Sequence, residues 1–233
     1  MGTRLLVLSI VVTTGVGLPA RGETADPDPD RFAEQIKAFS LWDAKNAVPA
    51  EPILFVGSSS IRMWRTRESF PDLPVINRGF GGSHISDVLH FADRIVLPYE
   101  PNTILLYAGD NDVAAGKSAE RVLRDYRRFV ERVRDRLPET RIVFLTIKPS
   151  GRRWALWPEM KKANDLIAAY SQGQDNLYFA DLATPLLGPD GRPDDRLFIG
   201  DRLHLSPAGY AVWTKALGPI LNDVLSRQGA AAD

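Results

Sequence analysis

Short apolar runs alternate along this chain with longer segments whose apolar residues recur every three or four positions. The runs are ILFV (53–56), PVIN (74–77), TILLY (103–107), RIVFLTI (141–147) and LYFA (177–180). Several are rich in β-branched and aromatic residues and are bounded by glycine or proline, which predicts strands. The clearest helical pattern is AERVLRDYRRFVERVRDRL (119–137), where Ala119, Val122, Leu123, Tyr126, Phe129, Val130, Val133 and Leu137 form one stripe. Ser118 is placed to cap it and Pro138 to end it. RFAEQIKAFSLWDAKNA (31–47) carries helical spacing too, and a last helix is expected from near Pro207 through Leu225, with Ser206 as N-cap. Strand–helix alternation of this kind predicts an α/β fold: a mostly parallel sheet of about five strands with helices on both faces, in three layers. Ligands in such folds bind at the carboxyl ends of the strands.

The first two dozen residues break the pattern. Arg4 precedes the apolar stretch LLVLSIVVTTGVGL, after which the chain turns polar. That stretch is shorter than the roughly 20 residues a membrane-spanning helix needs. Ala20 and Gly22 put small residues at the −3 and −1 positions of a cut before Glu23, as in a signal peptide. The expected organisation is a signal peptide over 1–22, an acidic, proline-punctuated linker over 23–30 and one domain over 31–228, with a periplasmic or secreted destination. An uncleaved membrane anchor is the alternative.

Composition narrows the chemistry. The 233 residues carry 29 basic and 29 acidic side chains, so no global basic field draws nucleic acid. The interleaved acids on the arginine-rich helix 119–137 suggest a solvated face rather than a nucleic-acid site. With no cysteine present, disulfides, thiolate metal sites and a cysteine nucleophile are excluded. Hydroxyls, imidazoles and carboxylates remain.

These residue types gather after the predicted strands: GSSS after the first, NRGFGGSH after the second, AGDND after the third, KPSGRRW after the fourth, and a segment ending GDRLHLS after the fifth. Acyl transfer needs such a set. A serine hydroxyl is a weak nucleophile unless an imidazole takes its proton. The imidazole needs a carboxylate to fix its tautomer, and the oxyanion needs preorganised donors. The G-x-S-x-G elbow of α/β-hydrolases is not met, because Ile61 stands where the second glycine would be. The loop GFGGSH also fails the dinucleotide template, with His84 at the third glycine position. Asp110, Asn111 and Asp112 do not match the EF-hand spacing.

The chain resembles the SGNH (GDSL-type) hydrolases, flavodoxin-like serine esterases with four separated motifs. Gly57-Ser58-Ser59 corresponds to G-D-S, Gly82 to the glycine of the second motif, Gly109-Asp110-Asn111-Asp112 to G-x-N-D, and Asp201-Arg202-Leu203-His204 to D-x-x-H. The resemblance implies Ser59 as nucleophile, His204 as base and Asp201 as its orienting carboxylate. It also implies an oxyanion hole from the Ser59 and Gly82 N–H groups and the Asn111 amide, with no metal or organic cofactor. Ser58 replaces the family's usual aspartate. Taken alone, Ser59 could be only a helix cap.

Three further residues are candidates for substrate contact: His84, Lys148 and Trp154. Lys148 lies nearest its strand end, and the loop IKPSGRRWALWPEM could either line the substrate side or be an exposed loop with two tryptophans packed on the next helix. His90 is expected to be a partly buried structural histidine. The function expected is hydrolysis of carboxylic esters, with a short acyl ester such as an O-acetyl group on a carbohydrate as substrate. A lysophospholipase or thioesterase would use the same residues. A carbohydrate-binding protein with a decayed site is the competing class.

Overall fold

The computed structural model describes residues 24–227. The signal peptide expected over 1–22 lies outside them. The first half of the chain runs α1 (Ala33–Asp43), β1 (Ile53–Gly57), α2 (Ser59–Arg62), α3 (Thr66–Ser69), β2 (Val75–Gly79), α4 (Ile85–His90) and α5 (Ala92–Ile95). The second half runs β3 (Thr103–Tyr107), α6 (Asp110–Ala114), α7 (Ala119–Arg134), β4 (Arg141–Leu145), α8 (Trp157–Ser171), β5 (Leu177–Ala180) and α9 (Pro207–Ser226). The five strands form one sheet in the order β2-β1-β3-β4-β5, and every pairing is parallel. This is the flavodoxin-like, doubly wound order.

Because strand side chains alternate between faces, each strand feeds two cores. Leu54, Val56, Ile104, Leu106, Ile142 and Phe144 pack under α1, α4, α5, α7 and α8. Ile53, Phe55, Leu105, Tyr107, Val143 and Leu145 meet Trp64, Phe70 and the α9 residues Trp213, Leu217 and Leu221. Burial on both faces is why the strands read as unbroken apolar runs rather than as alternations.

The boundaries differ from the sequence expectation where side chains change the pairing. β2 extends to Gly79, beyond the apolar run, because Arg78 is neutralised in place. Its Nε donates to the Tyr99 hydroxyl at 2.6 Å, and its guanidinium pairs with Asp43. β4 stops at Leu145 rather than 147. Beyond it the Asn164 amide takes over as partner, accepting from Ile147 N–H at 2.8 Å and donating to Ile147 C=O at 2.9 Å. α1 is shorter than the pattern 31–47, and α7 ends at Arg134 with a final turn through Leu137. Ser118 and Ser206 cap α7 and α9 through their hydroxyls, as expected.

The polar face of α7 is not wholly solvated. Arg121 and Asp125 are buried, and both belong to an ionic cluster with Lys117, Asp112 and Asp26. Through Asp26, which is 2.8 Å from Lys117 Nζ, the stretch read as a linker is held against the domain.

Candidate active site

The chain leaves β1 through a turn that only glycine permits. Gly57 has φ +136°, and a Cβ there would lie 1.9 Å from the Tyr107 carbonyl oxygen. Ser58 N–H donates to that same carbonyl at 2.9 Å, and Phe80 N–H donates to Gly57 C=O at 2.9 Å. The turn is thus seated between the ends of β2 and β3, and α2 begins at once with Ser59.

Burial separates the three serines. Ser58 and Ser60 are 0% and 1% exposed, whereas Ser59 is partly exposed. Ser58 occupies the N-cap position of α2 without a side-chain capping bond. The Ser59 hydroxyl faces His204, with Nε2 3.0 Å from Oγ. Ser59 is therefore not a helix cap. Since α2 is a single turn of four residues, it supplies local N–H groups rather than the dipole of a long helix.

His204 is oriented from its other side. Its Nδ1 lies 2.6 Å from Asp201 Oδ2, while Asp201 Oδ1 accepts the backbone N–H groups of Leu203 at 2.9 Å and His204 at 3.0 Å. Slight burial works against ionisation of Asp201, but these bonds outweigh it and hold the carboxyl down at about 2. The carboxylate thus stays charged beside the imidazole, favouring a proton on Nδ1 and leaving the Nε2 lone pair for the serine. The turn closes through Arg202 in the left-handed region, φ +55°, and Ile199 N–H donates to His204 C=O at 2.9 Å.

Gly82 and Asn111 stand on the neighbouring strand ends. Gly82 has φ +85° and open space where a Cβ would be, so conformation rather than crowding selects glycine. Asn111 opens α6. One N–H of its amide donates to Ser83 C=O at 3.1 Å, and its Oδ1 accepts from Arg153 Nη2 at 2.9 Å. Next to it, Asp112 receives Ile85 N–H and pairs with Lys117 at 2.9 Å, bracing the glycine loop against α6.

The other candidates fall differently. Lys148 is not a substrate contact: it is 2% exposed, and its ammonium lies 3.1 Å from the Tyr107 hydroxyl and 3.4 Å from Asp110. Two buried counter-groups draw it under the rim instead of onto it. His84 is likewise buried rather than lining a cleft, at the start of α4 and 3.9 Å from Asp112. Burial and the nearby Lys117 push its imidazole down to about 4, so it is neutral at ordinary pH. His90 is exposed, its ring edge against Phe91. Trp154 is half-buried, stacks on Trp157 with centroids 6.3 Å apart, and carries Arg192 over its face.

The loop after β4 does reach the site, through Arg153, one of the basic residues expected either to line the substrate side or to stand on an exposed loop. Arg153 contacts both Asn111 and Asp110, and Arg152 N–H donates to Arg202 C=O at 3.0 Å. Two consecutive arginines after a strand end were the available signal. Their partners lie some forty or more residues away in sequence, and no spacing rule joins them. Among the described residues no group of three or more His, Asp or Glu side chains is arranged to hold a metal ion.

A doubly wound sheet whose strand ends bring serine, imidazole and carboxylate into one hydrogen-bonded row has the layout of a serine hydrolase. Residues 58–212 match the model of the GDSL-like lipase/acylhydrolase family, and the chain belongs to that family and is a serine ester hydrolase. It is 29% identical over 197 residues to platelet-activating factor acetylhydrolase IB subunit alpha1 from Pongo abelii, covering 82% of this chain and 83% of that one. Its fold is similar to a GDSL-like lipase from Bacteroides thetaiotaomicron (TM-score 0.68, 19% identity, covering 81% of this chain and 97% of that one). It is also similar to an acetylxylan esterase from Geobacillus stearothermophilus, solved as a catalytic mutant (TM-score 0.61, 16% identity, covering 76% of this chain and 95% of that one).

Proposed function

We propose that Ser59, His204 and Asp201 hydrolyse short acyl esters through an acyl-enzyme, with O-acetyl groups on a carbohydrate as the substrate class. The observation that carries the mechanism is the imidazole held between Ser59 Oγ at 3.0 Å and Asp201 at 2.6 Å. His204 Nε2 takes the Ser59 proton as Oγ bonds to the ester carbonyl carbon. The resulting oxyanion is received by the N–H groups of Ser59 and Gly82 and by the free N–H of the Asn111 amide. As the carbon–oxygen bond to the alcohol breaks, His204 returns the proton to the departing oxygen. Water then gives a proton to His204 and attacks the acyl carbon; the bond from that carbon to Ser59 Oγ breaks, the acid leaves, and His204 returns the proton to Oγ.

Acetyl is the favoured acyl group because it is common to the names of two similar proteins, an acetylhydrolase and an acetylxylan esterase. The carbohydrate assignment rests on export to a compartment that holds glycans. Export in turn rests on the signal-peptide pattern of residues 1–22, followed by the linker 23–30 and the hydrolase domain 31–228. Among the described residues no helix is long and apolar enough to cross a membrane.

Fluorophosphonate labelling and hydrolysis of p-nitrophenyl acetate test the chemistry. Ser59→Ala is expected to abolish both, with kcat reduced by about 10⁴-fold or more; full activity in that variant would refute the assignment. Acetylated xylooligosaccharides, acetylated ether phospholipids and long-chain thioesters, compared by kcat/KM, separate the carbohydrate reading from its lipid and thioester alternatives. N-terminal sequencing of protein recovered from the periplasm or medium tests the cut before Glu23.

A further inference from the structure

We infer that Arg153 is a positioning residue that locks the Asn111 amide with its NH₂ end toward the glycine loop and the oxyanion site. The inference rests on the reading of Asn111 as an oxyanion donor. An asparagine amide has ends of nearly equal size and opposite polarity, so its neighbours alone decide which end faces the reacting carbonyl. A flipped amide would present an oxygen to the developing negative charge.

Arg153 prevents that flip by chemistry as well as by shape. A guanidinium carries donors only, and Nη2 lies 2.9 Å from Asn111 Oδ1. Turning the amide over would set an NH₂ against that donor. On the far side, Ser83 C=O accepts from Asn111 Nδ2 at 3.1 Å, which also suits only one orientation. Donor and acceptor thus agree, and the second N–H of Nδ2 is left for the substrate.

The lock is itself anchored. Arg153 Nη1 lies 3.1 Å from Asp110 Oδ2, and Lys148 Nζ reaches the same oxygen at 3.4 Å. Burial alone would raise the Asp110 carboxyl, but the charges of Lys148 and Arg153 outweigh it and keep the group ionised. Asp110 therefore fixes one prong of the guanidinium while the other meets Asn111. The backbone of the loop is pinned by Arg153 N–H to Ser150 Oγ at 3.3 Å and by Arg152 N–H to Arg202 C=O at 3.0 Å. A lysine cannot reproduce this, because a point ammonium lacks the planar group that donates to Asn111 through Nη2 while Nη1 stays ion-paired with Asp110.

The test is a double-mutant cycle on the full-length enzyme, read as kcat and KM for p-nitrophenyl acetate, with thermal unfolding monitored alongside. Asn111→Ala is expected to lower kcat about 10²- to 10³-fold, the loss seen when one oxyanion donor is deleted. Arg153→Met is expected to lower kcat about 10- to 100-fold, part of that same loss, and to leave KM within about twofold. In the Asn111→Ala background, Arg153→Met should cost less than about twofold more, because the two act as one unit. Arg153→Lys, which keeps the charge and guards against a misfolded Met variant, should still show the kcat deficit. Wild-type kcat in folded Arg153→Met or Arg153→Lys, or equal losses in both backgrounds, would overturn the role of Arg153 alone. Wild-type kcat in Asn111→Ala would overturn the oxyanion assignment and this inference with it.

Discussion

The Asp201–His204 turn and the Asn111 flank of this site are built in opposite ways. Asp201 and His204 sit in the open, their side chains 39% and 25% exposed, within a turn of four residues. Their order comes from local backbone: two N–H groups of the same turn fill Asp201 Oδ1 while the imidazole takes Oδ2. Asn111 instead stands on the row Tyr107, Lys148, Asp110 and Arg153, in which the Lys148 and Asp110 side chains are 1% and 5% exposed. There, order comes from charges that cannot reach water. The first arrangement costs little stability to disturb, since exposed ion pairs contribute about 0–1 kcal/mol. The second is costly to break, because a buried charge left without its partner is penalised by about 3–5 kcal/mol.

Two variants break the comparison from either end. Asp201→Asn can keep the backbone bonds to its oxygen, but its NH₂ would then face His204 Nδ1 and force the tautomer that cannot accept the Ser59 proton. The kcat is expected to fall by about 10³- to 10⁴-fold, while stability to urea stays within about 1 kcal/mol of wild type. A large stability loss would show that the turn is less self-sufficient than its hydrogen bonds indicate. Lys148→Met inverts the pattern. Urea unfolding is expected to show a loss of about 3–5 kcal/mol, and KM should change equally for anionic and neutral esters, since Lys148 is buried under the rim. A selective rise in KM for anionic esters would restore it as a substrate contact.

The same contrast explains what could be read from the chain. The sheet was legible because doubly buried parallel strands leave unbroken apolar runs. Only their ends were misplaced, at Arg78 and Ile147, where side-chain partners extend or replace strand pairing. Asp201 and His204 were legible as a pair through the resemblance to D-x-x-H, a spacing that the structure closes within one turn. Gly57 and Gly82 were legible only through the resemblance to the family's motifs; the positive φ that selects glycine at each belongs to the structure. The buried row was not. Lys148 and Arg153 lie 38 and 43 positions beyond Asp110, and a basic residue at a strand end is written identically whether it points at solvent or at a buried carboxylate. Topology decides: β3 and β4 are neighbours, so the loops that follow them meet.

Ser58 offers the finest test, because it belongs to neither half. The resemblance to G-D-S puts it in the place of an aspartate, yet its hydroxyl is fully buried and has no hydrogen-bond partner among the described residues. Its structural work is done by its backbone, whose N–H meets the Tyr107 carbonyl at 2.9 Å. An unpaired buried hydroxyl has lost its water without regaining a partner, so deleting it removes a penalty along with a few contacts. Ser58→Ala should therefore change the unfolding free energy by no more than about 1 kcal/mol, in either direction. The kcat for p-nitrophenyl acetate should stay within about twofold of wild type, since neither the imidazole nor the Asn111 amide leans on this side chain. A loss beyond about tenfold would mean that the Ser58 hydroxyl orders the first turn of α2, and the nucleophile would then need a third support besides the exposed turn and the buried row.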